Sequence, residues 1–218
     1  KNKLEEMNID DTTFHFKSNF QGFIIYTLQQ IIELFNPTAT DKILRIKDLF
    51  VLDNNTNNIN FVNFKIVDLH FKDIYNYNNN IEFEDKIELI KLSNIYINSL
   101  KIHEVKTLEF AEYIEIPILI IVKLKKLILN RTDALYKTIL NDELTNDVFN
   151  RLQELTLKNI KIDKELQIGN KFAGIIKLEI IDSTLTNFFV LNNINELTII
   201  NSVITDNNEK IYKIRNNT

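Results

Sequence analysis

The chain has 218 residues, 44% of them hydrophobic and 26% charged, with a net charge of −4. That length suits one domain with a substantial core, and the charge gives no general pull toward nucleic acid or anionic lipid. Cysteine is absent and glycine occurs only at Gly22, Gly169 and Gly174. Disulfides, thiolate metal sites and cysteine nucleophiles are therefore excluded, and no phosphate loop or G-x-S-x-G turn can be assembled.

The 36 isoleucines and 31 asparagines stand out, with Lys, Phe and Tyr also abundant. These residues share AT-rich codons, which points to an AT-rich eukaryotic genome such as that of an intracellular parasite. The chain starts Lys1-Asn2-Lys3 without an initiator methionine. Either a leader was removed or the chain begins inside a longer one; no signal-peptide pattern remains to decide, and secretion is favoured only slightly over the cytosol.

The first predicted element is an amphipathic helix carrying Phe20, Phe23, Ile24, Thr27, Leu28, Ile31 and Phe35. Ser18 or Asn19 caps it and Pro37 stops it. Residues 1–40 thus read as an N-terminal cap. The most apolar stretches, Phe20 to Phe35 and Ile114 to Leu129, contain Gln29, Gln30, Glu33, Lys123, Lys125 and Lys126. Neither offers the roughly 20 apolar residues of a membrane helix.

From 41 to 205 one phrase recurs: an apolar residue, two variable ones, Leu, one variable, apolar, one variable, then often Asn or Asp. Leu152-Gln-Glu-Leu155-Thr-Leu157-Lys-Asn159 shows it, as do the stretches from Ile87 to Asn94, Ile175 to Asp182 and Ile194 to Asn201. Weaker copies centre on Leu44/Ile46, Leu69/Phe71, Leu108/Phe110 and Leu127/Leu129. About eight units result, roughly 18 to 28 residues apart. Alternating apolar positions place two side chains on one face of a short strand, and stacking the next unit buries them. Between units, Asp53 to Asn60 and Asn76 to Asn80 read as polar loops. Thr132 to Asn150 has near-helical apolar spacing and reads as a returning helix. Residues 206–218 form a C-terminal segment in which Lys210 to Ile214 adds a last strand, and an exposed end strand invites pairing into a homodimer.

The phrase resembles the leucine-rich-repeat pattern L-x-x-L-x-L-x-x-N-x-L. The resemblance implies an α/β solenoid: a curved parallel β-sheet of about eight irregular repeats with a helical N-terminal cap. One departure is clear. Asn or Asp stands at the eighth position (Asp48, Asp73, Asn94, Asn159, Asp182, Asn201), whereas the family's ladder Asn is at the ninth, which here is often apolar.

The resemblance also implies a protein-binding module using its concave face. In that register the outward rows read Arg45, His70, Lys91, Glu109, Ile128, Thr156, Glu179, Thr198, and Lys47, Lys72, Ser93, Ala111, Asn130, Lys158, Ile181, Ile200. The expected contact surface is divided: basic at Arg45, Lys47, His70, Lys72 and Lys91, apolar at Ile181 and Ile200. His15, His70 and His103 show no ligand spacing, and no nucleophile, base and orienting acid can be grouped. No catalysis, metal or cofactor is expected. The expected partner is a protein rather than nucleic acid. An intracellular adaptor and a self-associating structural protein are the alternatives.

Overall fold

The computed structural model of the chain describes residues 8–9, 13–17, 32–33, 35, 38–49, 58–71, 76–131, 149, 151–162, 174–186, 194–205 and 211–214. They form a parallel β-solenoid with almost no helix. The strands, in chain order, are β1 (Asn8–Ile9), β2 (Thr13–Lys17), β3 (Lys42–Leu49), β4 (Asn58–Phe61), β5 (Phe64–Phe71), β6 (Asn76–Glu115), β7 (Ile118–Asn130), β8 (Glu154–Lys158), β9 (Lys161–Ile162), β10 (Lys177–Ile181), β11 (Thr184–Thr186), β12 (Glu196–Ile200), β13 (Ser202–Thr205) and β14 (Ile211–Ile214).

The main sheet runs β1-β2-β3-β5-β6-β7-β8-β10-β12, and every step after β2 is parallel. Registration follows the apolar phrase. Phe14 lies opposite Leu44, Leu44 opposite Val67, and Val67 opposite Ile90. Farther along, Leu108, Leu127, Leu155, Leu178 and Leu197 stand in line. The residues between them point outward, because successive side chains of a strand alternate faces. Each coil buries its Leu or Ile pair only by lying against the next coil, so the Val, Ile and Phe content that favours extended backbone becomes one continuous core.

Strand β6 is 40 residues long. At about 3.3 Å per residue a straight strand of that length would far outreach a domain of this size. It therefore winds through successive coils without leaving extended structure, and two ion pairs tie one coil to the next: Lys91 to Glu109 at 3.1 Å, and Lys101 to Glu82. A flank is built beside the main sheet by β4 on the start of β6, and by Ser99–Ile102 on Ile118–Ile121. Aromatic rings fill the first coils. Phe61 stacks on Phe83 with centroids 4.6 Å apart, and Phe64 meets Phe61 and Phe35 edge-on at 5.3 and 5.1 Å. Beyond β8 the segments that follow the main-sheet strands form a separate four-stranded sheet, β14-β13-β11-β9, with β14 antiparallel to β13.

Four of the eighth-position residues, Asn94, Asn159, Asp182 and Asn201, have a physical reason. Asn94, Glu112, Arg131, Asn159, Asp182 and Asn201 all have φ between 47° and 62°. Each follows a main-sheet segment and turns the chain out of the sheet. Left-handed backbone costs most L-residues about 1–2 kcal/mol, and Asn and Asp tolerate it best because their short side chains bond locally. Inter-coil hydrogen bonds hold the corners: Asn159 N–H to Ile181 O at 3.0 Å, Asp182 N–H to Ile200 O at 2.9 Å, and Asn201 Nδ2 to Asp182 Oδ1 at 3.2 Å.

The ninth position is buried. Ile95 and Ile160 fill it in two coils, Ser183 and Ser202 in the last two. The serines form a hydroxyl ladder: Ile160 N–H donates to Ser183 Oγ and Ser183 N–H to Ser202 Oγ, both at 3.1 Å. Each hydroxyl in turn donates to a carbonyl two residues back, Ile181 O or Ile200 O, at 2.7 Å.

Three expectations are corrected. The solenoid is β throughout its described part, so the α/β class gives way to an almost wholly β one. No helical cap is seen among the described residues: Ile32–Glu33 are helical and Phe35 is buried, but the rest of Phe20–Phe35 lies outside them, as does the returning segment 132–150 apart from Phe149. The N-terminal edge of the main sheet is instead β1, antiparallel to β2, and the stack reaches back to Thr13 rather than starting at 41. In the second unit the inward pair is Val67/Leu69, not Leu69/Phe71, because Leu44 and Ile46 lie opposite Val67 and Leu69. A two-residue slip keeps faces but changes neighbours.

Candidate functional site

That slip rearranges the basic end of the outward face. Asp68, not His70, stands between Arg45 and Lys91. The first row then reads Arg45, Asp68, Lys91, Glu109, with charges alternating along the sheet. Lys91 bonds Glu109 at 3.1 Å, and both side chains are partly covered. Burial pushes the Asp68 carboxyl above its ordinary range. Lys91 opposes that, Glu109 adds to it, and Lys47 and Arg45 also oppose it. His70 belongs to the second row, opposite Ser93, and its Nε2 lies 3.3 Å from Glu112 Oε2. Lys47 is exposed, and Lys72 lies outside the described residues. Among the described residues, Arg45 and Lys91 thus flank Asp68, Lys91 pairs with Glu109, and His70 lies against Glu112.

Toward the C-terminus the outward face is polar and apolar by turns. Thr156 is buried and donates its hydroxyl to Glu179 Oε2 at 2.7 Å, and Lys126 reaches the same oxygen at 3.4 Å. The Thr156 hydroxyl holds the Glu179 carboxyl below its usual range, with Lys126 assisting against burial. Ile181 and Ile200 are neighbours in the second row, as the repeat phase placed them, and both are half-buried.

A different surface emerges on the flank, where sequence reasoning had seen only a stretch too charged to span a membrane. The first half of β7 turns Ile118, Ile120 and Val122 outward at 50%, 44% and 56% exposure. Beyond Val122 opens a cleft of about 580 Å³ lined by Lys86, Glu104, Val105, Lys106, Val122, Lys123, Leu124, Lys125, Arg151 and Gln153. Its walls come from consecutive coils, stacked by the register that sets Glu104 opposite Lys123 and Val105 opposite Leu124. Glu104 bridges Lys123 and Lys86, each at 3.1 Å, and these two cations hold its carboxyl below the usual range. Lys125 pairs with Glu154 at 3.3 Å. Lys106 and Arg151 are exposed and have no carboxylate partner among the described residues.

The cleft thus combines an apolar floor with an excess of positive charge in a chain of net charge −4. The signal available in sequence was the run Val122-Lys123-Leu124-Lys125-Lys126 beside Lys106. Its meaning needed the coil stacking that brings 86, 104–106, 122–125 and 151 together.

Among the described residues no group of three or more His, Asp or Glu side chains could hold a metal ion, and no helix is long and apolar enough to cross a membrane. Ser93, Ser183 and Ser202 are buried, and the latter two are committed to backbone. No family model, no curated protein and no solved structure matches the chain.

Proposed function

We propose that the chain is a non-catalytic interaction module of the leucine-rich-repeat kind, and that it receives an acidic segment of a protein partner in the flank cleft. The observation that carries this reading is the pair Lys106 and Arg151, cations with no carboxylate partner among the described residues, set beside exposed Val122. Extended apolar surface rimmed by like charge is costly to leave in water and is offset by a partner of opposite charge carrying an apolar side chain. The Ile118–Ile120–Val122 row extends the contact along the strand. Charges at Arg45, Lys47 and Lys91, facing Asp68 and Glu109, are the weaker attractor.

Fluorescence anisotropy with a labelled Glu/Tyr copolymer gives a direct test. Lys106→Glu combined with Arg151→Glu is expected to weaken binding by roughly tenfold or more, and added salt to weaken the unmodified chain similarly. Val122→Ser should weaken it at any salt. Loss confined to Lys47→Glu with Lys72→Glu would move the site to the main sheet. Binding unchanged in every variant and at every ionic strength would end the proposal.

A further inference from the structure

The main sheet ends on β12, and this strand is anomalous. Leu155 and Leu178 are buried in the inward column, yet Leu197, next in line, is 51% exposed. Ile199 is only partly buried. The backbone is open as well. Glu196 N–H donates to Ile176 O at 3.0 Å, and Ile200 O accepts from Asp182 N–H at 2.9 Å, so the even-numbered residues turn their backbone toward β10. In a parallel strand alternate residues serve opposite neighbours, so Leu197 and Ile199 aim their N–H and C=O groups away from the molecule. On the adjoining sheet β14 closes β13 by running antiparallel, but β12 has no such closure among the described residues. β12 is therefore the open C-terminal edge of the main sheet, as β14 is the edge of the smaller one.

From this we infer that β12 pairs antiparallel with β12 of a second copy, about a two-fold axis through Thr198. The register is selected by chemistry. Leu197 and Ile199 are the residues with outward backbone groups, and only the alignment centred on Thr198 sets each Leu197 against an Ile199, exchanging backbone hydrogen bonds at both positions. It joins the inward Leu and Ile of one copy to those of the other, so the two cores become continuous. Thr198 then faces Thr198, a favourable cross-strand pair, and Glu196 faces Ile200, so no like charges meet. Glu196 is already neutralised by Lys177 at 3.2 Å. A symmetric, self-matching strand is what an isologous dimer requires. This contact is separate from the flank cleft and does not depend on it.

The chain has no cysteine, so Thr198→Cys introduces a single thiol. Facing Cα atoms of a non-hydrogen-bonded antiparallel pair lie about 4.5 Å apart, within disulfide reach. Mild oxidation is expected to convert Thr198→Cys to a covalent dimer well ahead of Lys65→Cys, a thiol on β5 away from the edge. Sedimentation equilibrium of the unmodified chain should show mass rising toward twice the monomer with a Kd on the order of micromolar, as a small interface implies. Leu197→Lys should keep it monomeric with unchanged circular dichroism, since that side chain is half in water already. A monomer at every concentration, a dimer that survives Leu197→Lys, or cross-linking of Thr198→Cys no faster than of Lys65→Cys overturns the inference.

Discussion

Arg131 sits at φ 57° and Glu112 at φ 62°, where neighbouring coils place Asn or Asp. Each stores corner strain that a glycine would not, so Arg131→Gly is expected to raise stability by about 1 kcal/mol in denaturant unfolding, and Asn94→Ala to lower it by a similar amount. Ser183→Ala removes the acceptor of the buried Ile160 N–H. It should cost about 1–3 kcal/mol, whereas Ser183→Asn, which restores an acceptor, should recover part of that. Two carboxylates respond oppositely to pH. Asp68 has its proton favoured by folding, so its ionisation costs stability as pH rises from the ordinary value of 3.8 through the raised one. Asp68→Asn should therefore gain in melting temperature relative to the parent at pH 7 more than at pH 3. Glu179 is held ionised by Thr156, so its contribution is present above the ordinary 4.5 and fades as pH falls through the lowered value. Glu179→Gln should melt lower than the parent at pH 7 and together with it near pH 2. The sequence displayed the corner residues by their spacing, but not their conformation. The eighth-position Asn looked like a displaced ladder because nothing in a linear pattern distinguishes a side chain that bonds from one that tolerates positive φ.

At the scale of elements, sequence periodicity located most main-sheet strands, since Leu-x-Leu alternation maps directly onto a half-buried strand. It failed at β5, where the stretch from Val67 to Phe71 offers two overlapping apolar pairs and only the neighbouring coils choose between them. That choice carried the site with it, exchanging His70 for Asp68 between Arg45 and Lys91. It also missed β2, which pairs in parallel with β3, and the unbroken course of β6. Segments chosen as polar loops at Asn76 to Asn80 are strand, because Asn80 bonds Asn58 at 2.8 Å and Asn98 and Ser99 at 2.8 and 2.7 Å, forming a side-chain ladder on the outside of the flank. Phe83→Ala, which empties the stacked ring of Phe61, should cost about 3–5 kcal/mol by thermal or denaturant unfolding.

For the whole molecule, a stack in which each coil touches chiefly its neighbours behaves as a one-dimensional array, so opening starts at free ends and penetrates with increasing cost. Amide exchange is expected to be fastest in β12 and slowest in the middle of β6, with a dimeric state protecting Leu197 and Ile199 selectively. The continuous winding of β6 into β7 has another outcome, which concerns how such a chain can change length. Ser99 pairs with Ile118, so residues 99–117 make one full lap with nothing to spare. Losing a single residue between Ser99 and Thr107 is expected to put Leu108 and Phe110 out of step with Leu127 and Leu129. Excising all of 99–117 would leave the remaining laps meeting in step, so this part of the protein can shrink or grow only by whole laps.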